Sequence, residues 1–191
     1  MSPKTLPPLA ARRATLDDLL KMDGKAELVG GRIVEQMPTG HLPNRVAGRI
    51  FISLQNHSDA TGAGLAYTDS MGFAVEELPS GRESFSPDAS YYVGPLPSNP
   101  MRFIEGPPTF AAEVRSEGDY GDAAERRLAA KREDYFLAGT LVVWDVDPVA
   151  GCLWKYSASA PDRPERFDRG GQADAEPAVP GWRVAVDWLL A

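Results

Sequence analysis

The sequence predicts one α+β domain built on a mixed β-sheet, and three observations carry that expectation. The chain has 191 residues, enough for one domain with a real core. Short strand-like apolar runs follow one another in groups between a few stretches of helical spacing, rather than alternating with them one for one. There is no internal repeat and no low-complexity block to suggest a solenoid or a linker. Residues 1–14 read as a flexible N-terminal tail and residues 15–191 as the domain.

Thr15 and Asp18 have the spacing of a capping box, so a short helix is expected from Leu16, closing near Gly24. Ala26–Val29 and Arg32–Glu35 flank Gly30-Gly31 and read as a β-hairpin, because glycine supplies the positive φ of a tight turn. From Leu42 to about Asn56 the apolar residues Val46, Ile50 and Leu54 recur every four positions, predicting an amphipathic helix. Strands are expected at Leu65–Tyr67, Gly72–Val75 and Ala89–Val93. Five prolines between Gly94 and Pro108 mark a surface loop. Thr109–Arg115 is a further strand. Asp122–Ala138, rich in Ala, Glu, Arg and Lys, is the clearest helix, with acids in its first turn and Gly139 at its end. Leu141–Val146 reads as a buried strand and Cys152–Tyr156 as its hairpin partner. A polar stretch then runs to Pro180-Gly181, and Trp182–Leu190 closes the chain as a strand and short helix.

Composition bounds the function. Hydrophobic residues make up 43% and charged residues 25%, the balance of an ordinary globular protein. The formal charge of −7 lacks the strong basic footprint of a dedicated nucleic-acid binder, so a polyanion would need local basic groups. The single cysteine, Cys152, cannot close an intramolecular disulfide, which fits a cytoplasmic protein. No run approaches the ~20 apolar residues of a membrane span, and the proline-broken start is not a signal peptide. No Cys/His cluster has zinc spacing, and neither a Gly-x-Ser-x-Gly turn nor a phosphate-cradling glycine loop is present.

What remains is a constellation of acids and one lysine. On an extended Pro87–Val93, Asp88 shares a face with Ser90 and Tyr92. On the next strand Glu113 shares a face with Ala111 and Arg115. If the two strands pair with those faces aligned, Asp88 and Glu113 converge, and two repelling carboxylates are commonly reconciled by a divalent cation. The alternative is a pair of solvated strand-end acids. Lys131 falls on the apolar stripe of its helix with Ala124, Leu128 and Tyr135, where packing alone would place Leu or Ala. It either snorkels outward or reaches the carboxylates and neutralises a phosphate. Glu27, on the first hairpin, is a weaker fourth member. This set is what metal-assisted phosphodiester hydrolysis requires: Asp88, Glu113 and the Val114 carbonyl would hold Mg²⁺ or Mn²⁺, with Lys131 beside the phosphate. Arg115 and Arg127 are candidate phosphate contacts, with Arg126, Arg132, Arg45 and Arg49 as further candidates for the cleft rim.

Several segments resemble one family in order. Glu27-Leu28-Val29-Gly30-Gly31-Arg32-Ile33-Val34 is similar to the hairpin that opens the Uma-two family of restriction endonucleases, long carried as a domain of unknown function. Pro87-Asp88 resembles its P-D strand. Pro108 through Glu113-Val114-Arg115-Ser116 resembles its P-x-x-x-x-E-V-x-S strand. Lys131, Tyr135, Gly139, Trp144, Asp147 and Pro148 resemble its K-x-x-x-Y-x-x-x-G and W-x-x-D-P stretches. The resemblance implies a restriction-endonuclease-like mixed β-sheet flanked by helices, of the PD-(D/E)xK kind. It also implies Asp88 and Glu113 as metal ligands, Lys131 as the active-site lysine and Glu27 in a supporting role. Arg115 departs from the pattern, standing where the classical nuclease strand has its lysine. The expected partner is DNA, and the expected assembly a homodimer. The rival expectation is a catalytically silent nuclease fold serving as a binding or assembly module.

Overall fold

The computed structural model describes residues 12–191, so most of the expected tail lies outside the described residues. The tail's last three residues are tied to the domain. Arg12 pairs with Asp18, Arg13 with Glu77, and the Ala14 N–H donates to the Gly31 carbonyl at 2.8 Å.

Helix α1 is a single turn, Leu16–Leu19, opened by the Thr15/Asp18 capping box. Strands β1 (Ala26–Val29) and β2 (Arg32–Glu35) form the expected hairpin, with Gly30 and Gly31 at φ 60° and 68°. Helix α2 spans His41–Thr61 and ends at left-handed Gly62. It outruns the expected Asn56 because its inward row continues from Val46, Ile50 and Leu54 to Ser58, whose hydroxyl is satisfied by the Gly64 carbonyl at 2.7 Å. Strands β3 (Leu65–Thr68), β4 (Phe73–Ala74), β5 (Ser84–Phe85) and β6 (Ala89–Tyr92) follow. The proline-rich stretch holds a two-residue strand, β7 (Ile104–Glu105), which pairs parallel with β4 and buries Ile104. Then come β8 (Phe110–Val114), α3 (Asp122–Ala138), β9 (Val142–Asp147) and β10 (Cys152–Ser157). The polar segment expected to be irregular contains β11 (Ala160–Asp168) and β12 (Gln172–Asp174). Strand β13 (Arg183–Ala185) and helix α4 (Val186–Leu189) close the chain.

The central sheet has the order β11-β10-β9-β8-β6-β3. Its β8 and β9 are parallel, and the connection between them carries α3. The remaining neighbours are antiparallel, so the sheet is mixed. Strand β11 lies at the edge, where Pro161 and Pro164 cost no central ladder bonds. Side-chain alternation splits the core into two layers. Ala89, Tyr91, Phe110, Ala112, Val114, Trp144 and Val146 face α2, α4 and the β12–β13 segment, with Trp144 stacked on Trp182. Tyr92, Ala111 and Val143 face α3 and the small sheet β5-β4-β7, meeting Phe73, Phe85, Ile104 and Tyr135. The mixed α+β fold is the one the sequence predicts. The candidate residues lie at one end of the α3 layer.

Candidate active site

Register brings the two acids together. In the β6–β8 pair Ala89 lies opposite Ala112, so Asp88, one residue before β6, falls beside Glu113 on the same face. The Asp88 N–H donates to the Ala112 carbonyl at 3.1 Å, and Asp88 Oδ2 accepts the Val114 N–H at 2.7 Å. That carboxylate is thereby oriented by backbone. Glu113 Oε1 accepts the Tyr135 hydroxyl at 2.6 Å and lies 2.8 Å from Lys131 Nζ. Tyr135 itself is fully buried and stacked on Phe85, which fixes its hydroxyl.

Lys131 does point inward. It bridges Glu113 and Glu27, the latter at 3.0 Å. Glu27 is 4% exposed and fully partnered: Oε1 accepts the Ser86 N–H at 2.9 Å, and Oε2 lies 2.5 Å from Arg82. Arg82 also holds buried Asp134 at 2.8 Å. Of the four residues expected from sequence, Glu113, Lys131 and Glu27 thus meet in one ion network, and Asp88 lies beside it across the β6–β8 pair.

Four members escaped sequence reasoning: Lys25, Asp69, Arg82 and the buried Asp134. Lys25 Nζ lies 2.6 Å from Asp88 Oδ1 and 2.6 Å from Asp69 Oδ1. Its signal was present, since Lys25 and Glu27 are two residues apart on an extended segment and share a face. Asp69 and Arg82 come from a turn and a loop that no periodicity marks.

Electrostatics follow from burial and partners. Burial disfavours the charge on Lys131, but Glu113 and Glu27 outweigh it and raise its pKa, so it is a fixed cation. Burial likewise opposes charge on Glu27, yet Lys131, Arg82 and the Ser86 N–H bring it down to about 2. Glu113 is the exception. Burial pushes it up, Lys131 only partly offsets this, and Asp88 adds to the rise. Lys25 is raised because Asp88 and Glu113 outweigh its burial.

These residues line an open cleft of roughly 920 Å³. Val114, Arg115 and Arg127 line it as well. Arg115, however, is already engaged: it forks onto Asp145 at 2.7 and 2.8 Å and pairs with Glu125. Arg132 joins the same Asp145 at 3.0 Å, so two cations meet two acids there. Arg127 is exposed and donates to the Gly118 carbonyl at 3.2 Å. The expectation that Arg45 and Arg49 edge the cleft is corrected. Helix α2 packs on the opposite face of the sheet, and Arg49 turns to the carbonyls of Trp188 and Ala191. Arg126 and Arg132 do not line the cleft either.

The donor set suits a hard divalent cation. Among the described residues, the ion pairs in the cleft and just behind it, where Asp134 is buried, join five carboxylates (Glu27, Asp69, Asp88, Glu113, Asp134) to three cations (Lys25, Arg82, Lys131). These ion pairs are therefore two positive charges short, whereas the neighbouring Arg115 cluster balances. Glu113 Oε2 takes no hydrogen bond among the described residues. No group of three or more His, Cys, Asp or Glu among them forms a metal cage. Two carboxylates with water completing the shell is the arrangement magnesium favours.

Comparison with known proteins agrees with the resemblance read from the motifs. A family model, Uma2, described as "Putative restriction endonuclease", matches residues 14–187. Among solved structures, the chain is similar to one described as a "putative nuclease belonging to DUF820" from Anabaena variabilis ATCC 29413. The TM-score is 0.71 and the identity 17%, over 92% of this chain and 97% of that one. At that identity the likeness speaks to the fold. No curated protein matches the chain.

Proposed function

The chain belongs to the Uma2 family, and from that premise we propose that it is an endonuclease that hydrolyses DNA with the help of Mg²⁺ or Mn²⁺. One observation carries the reading: Asp88, Glu113 and Lys131 converge in a cleft whose ion pairs, with those just behind it, are two positive charges short.

Asp88, Glu113 and the Val114 carbonyl would hold the cation. When bound, it would acidify a water and offset charge on the phosphate. The chain's own groups do the rest. Backbone donation from Val114 keeps the Asp88 carboxylate in place, and the Tyr135 hydroxyl does the same for Glu113. Glu27 acts through Lys131, keeping the ammonium charged and aimed into the cleft, where it meets the phosphate in the transition state. Arg127 is exposed at the rim and meets the backbone of the nucleic acid. Arg115 serves chiefly to fix the end of β8 against Asp145, with phosphate contact as a secondary role.

The same reading makes this a cytoplasmic protein, in keeping with one free, buried cysteine, Cys152. No helix among the described residues is long and apolar enough to cross a membrane. It also makes the protein a homodimer, since one small domain offers limited contact with a duplex.

A second reading, the catalytically silent module, is favoured by one fact: both carboxylates already have lysine partners. Calorimetric titration of Mn²⁺ and Mg²⁺ into the wild type, Asp88→Ala and Glu113→Gln separates the two. Binding abolished by both substitutions, with the circular dichroism spectrum intact, supports the metal site and justifies a plasmid-cleavage assay. Absence of binding at millimolar metal, or binding indifferent to both changes, leaves the silent module as the account.

A further inference from the structure

The two lysines of the cleft are held differently. Lys131 bridges Glu113 and Glu27, and Glu27 is already saturated by Arg82 and the Ser86 N–H. Glu27 has no spare acceptor. Lys25 lies between Asp88 Oδ1 and Asp69 Oδ1, 2.6 Å from each, with a side chain only 12% exposed. Because Asp88 Oδ2 is tied to the Val114 N–H, Oδ1 is the oxygen that Asp88 has to offer a cation. Lys25 holds that oxygen.

Asp69 is a prepared receiver. It sits at the outer side of Lys25, 40% exposed. The next residue, Ser70, has φ 70°, a left-handed conformation that a non-glycine residue adopts at a cost. In that conformation the Ser70 N–H donates to Asp69 Oδ1 at 2.8 Å, fixing the carboxylate toward the ammonium. Lys25 can therefore leave Asp88 without becoming an unpaired, largely buried charge.

We propose that Lys25 is the counter-charge that sets the divalent-cation affinity of the cleft, occupying Asp88 and passing to Asp69 as a cation binds. This rests on the metal-binding reading above. The physical basis is competition: ammonium and cation share one carboxylate oxygen, so the affinity each shows is reduced by the other. Lys25 is a positioning residue here, since it acts on the cation through Asp88.

The test is calorimetric titration of Mn²⁺ into the full chain as wild type, Lys25→Met, Lys25→Arg, Asp69→Asn and Asp88→Ala, each checked for folding by circular dichroism. Lys25→Met is expected to bind Mn²⁺ about ten-fold more tightly than wild type, and Lys25→Arg to stay near the wild-type value. Asp69→Asn is expected to bind more weakly, because the ammonium then rests on Asp88 alone. Asp69 lies at the rim, so that variant carries the test if Lys25→Met fails to fold. Wild-type binding that Asp88→Ala abolishes, with Lys25→Met unchanged or weaker, or with Asp69→Asn unchanged, overturns the role of Lys25 and leaves the metal site standing. Absence of binding in every variant, or binding indifferent to Asp88→Ala, overturns the metal reading and this proposal with it.

Discussion

Replacing Arg82 by methionine tests the frame on which the cleft is built. The guanidinium lies 2.5 Å from Glu27 Oε2 and 2.8 Å from Asp134 Oδ2, and it donates to the Ser84 carbonyl at 3.3 Å. It also lies over the Phe85 ring, a contact that methionine largely keeps. The two acids are nearly dry, their side chains 6% and 7% exposed. Glu27 would retain Lys131 and the Ser86 N–H, but Asp134 would lose its one ion pair among the described residues. Removing one partner of a buried pair costs about 3–5 kcal/mol, and the partners left to Glu27 place this case near the lower end. With a urea slope of about 2–3 kcal/mol per molar, the unfolding midpoint should fall by roughly 1 M. Tryptophan fluorescence reports it, since Trp144 and Trp182 stack in the core. Asp134→Asn in the Arg82→Met background should recover part of the loss, because it removes the uncompensated charge. An unmoved midpoint, or one the second substitution lowers further, would refute the buried-charge argument.

Three further predictions bear on the site and the fold. Lys131→Met should reduce DNA cleavage about 100-fold or more while leaving Mn²⁺ binding intact, read by plasmid nicking beside calorimetry; undiminished cleavage would remove Lys131 from the chemistry. Glu27 is held at about 2 in the fold against 4.5 for an ordinary glutamate, so its stabilisation is fully present above 4.5 and is lost as the pH falls through 2. Glu27→Gln should flatten that part of the stability–pH curve by about 3 kcal/mol, measured as urea midpoints across the window. Gly64→Ala should lower stability by about 1–2 kcal/mol or more, because φ is 67° and the new Cβ would fall 2.5 Å from the buried Tyr91 ring. A thermal melt that does not move would refute this.

The sequence made part of this cleft legible because part of it is periodic. Two-residue alternation placed Asp88 and Glu113 on one face, and helical spacing turned Lys131 toward that face. Lys25 was missed although its two-residue spacing from Glu27 was there to read, whereas Asp69 and Arg82 were missed because their arrival depends on how the loops around β4 and β5 dock, which is a tertiary fact. The same gap explains Arg45 and Arg49: amphipathic spacing says which side of a helix is buried but not which face of a sheet receives it. In the fold, the helices and most strands were read correctly, and β5, β7, β11 and β12 were not. Strands β7 and β12 have two and three residues, too few to show alternation. Strand β11 has mostly exposed residues and two prolines, because an edge position asks neither for apolar alternation nor for every backbone donor.

Lys25 meets Asp88 across 63 residues of sequence, and Arg82 meets Glu27 across 55. Neither pair can form by local folding, and Lys131 leaves the ribosome after all four of those residues. Until α3 is made and docked, Glu113 lacks both Lys131 and the Tyr135 hydroxyl, because loop closure must precede the contacts that reward it. The cleft is thus completed only once α3 has been made and docked. If the protein cuts DNA as proposed, a chain that stops short of α3 lacks Lys131 and with it the chemistry of the cleft.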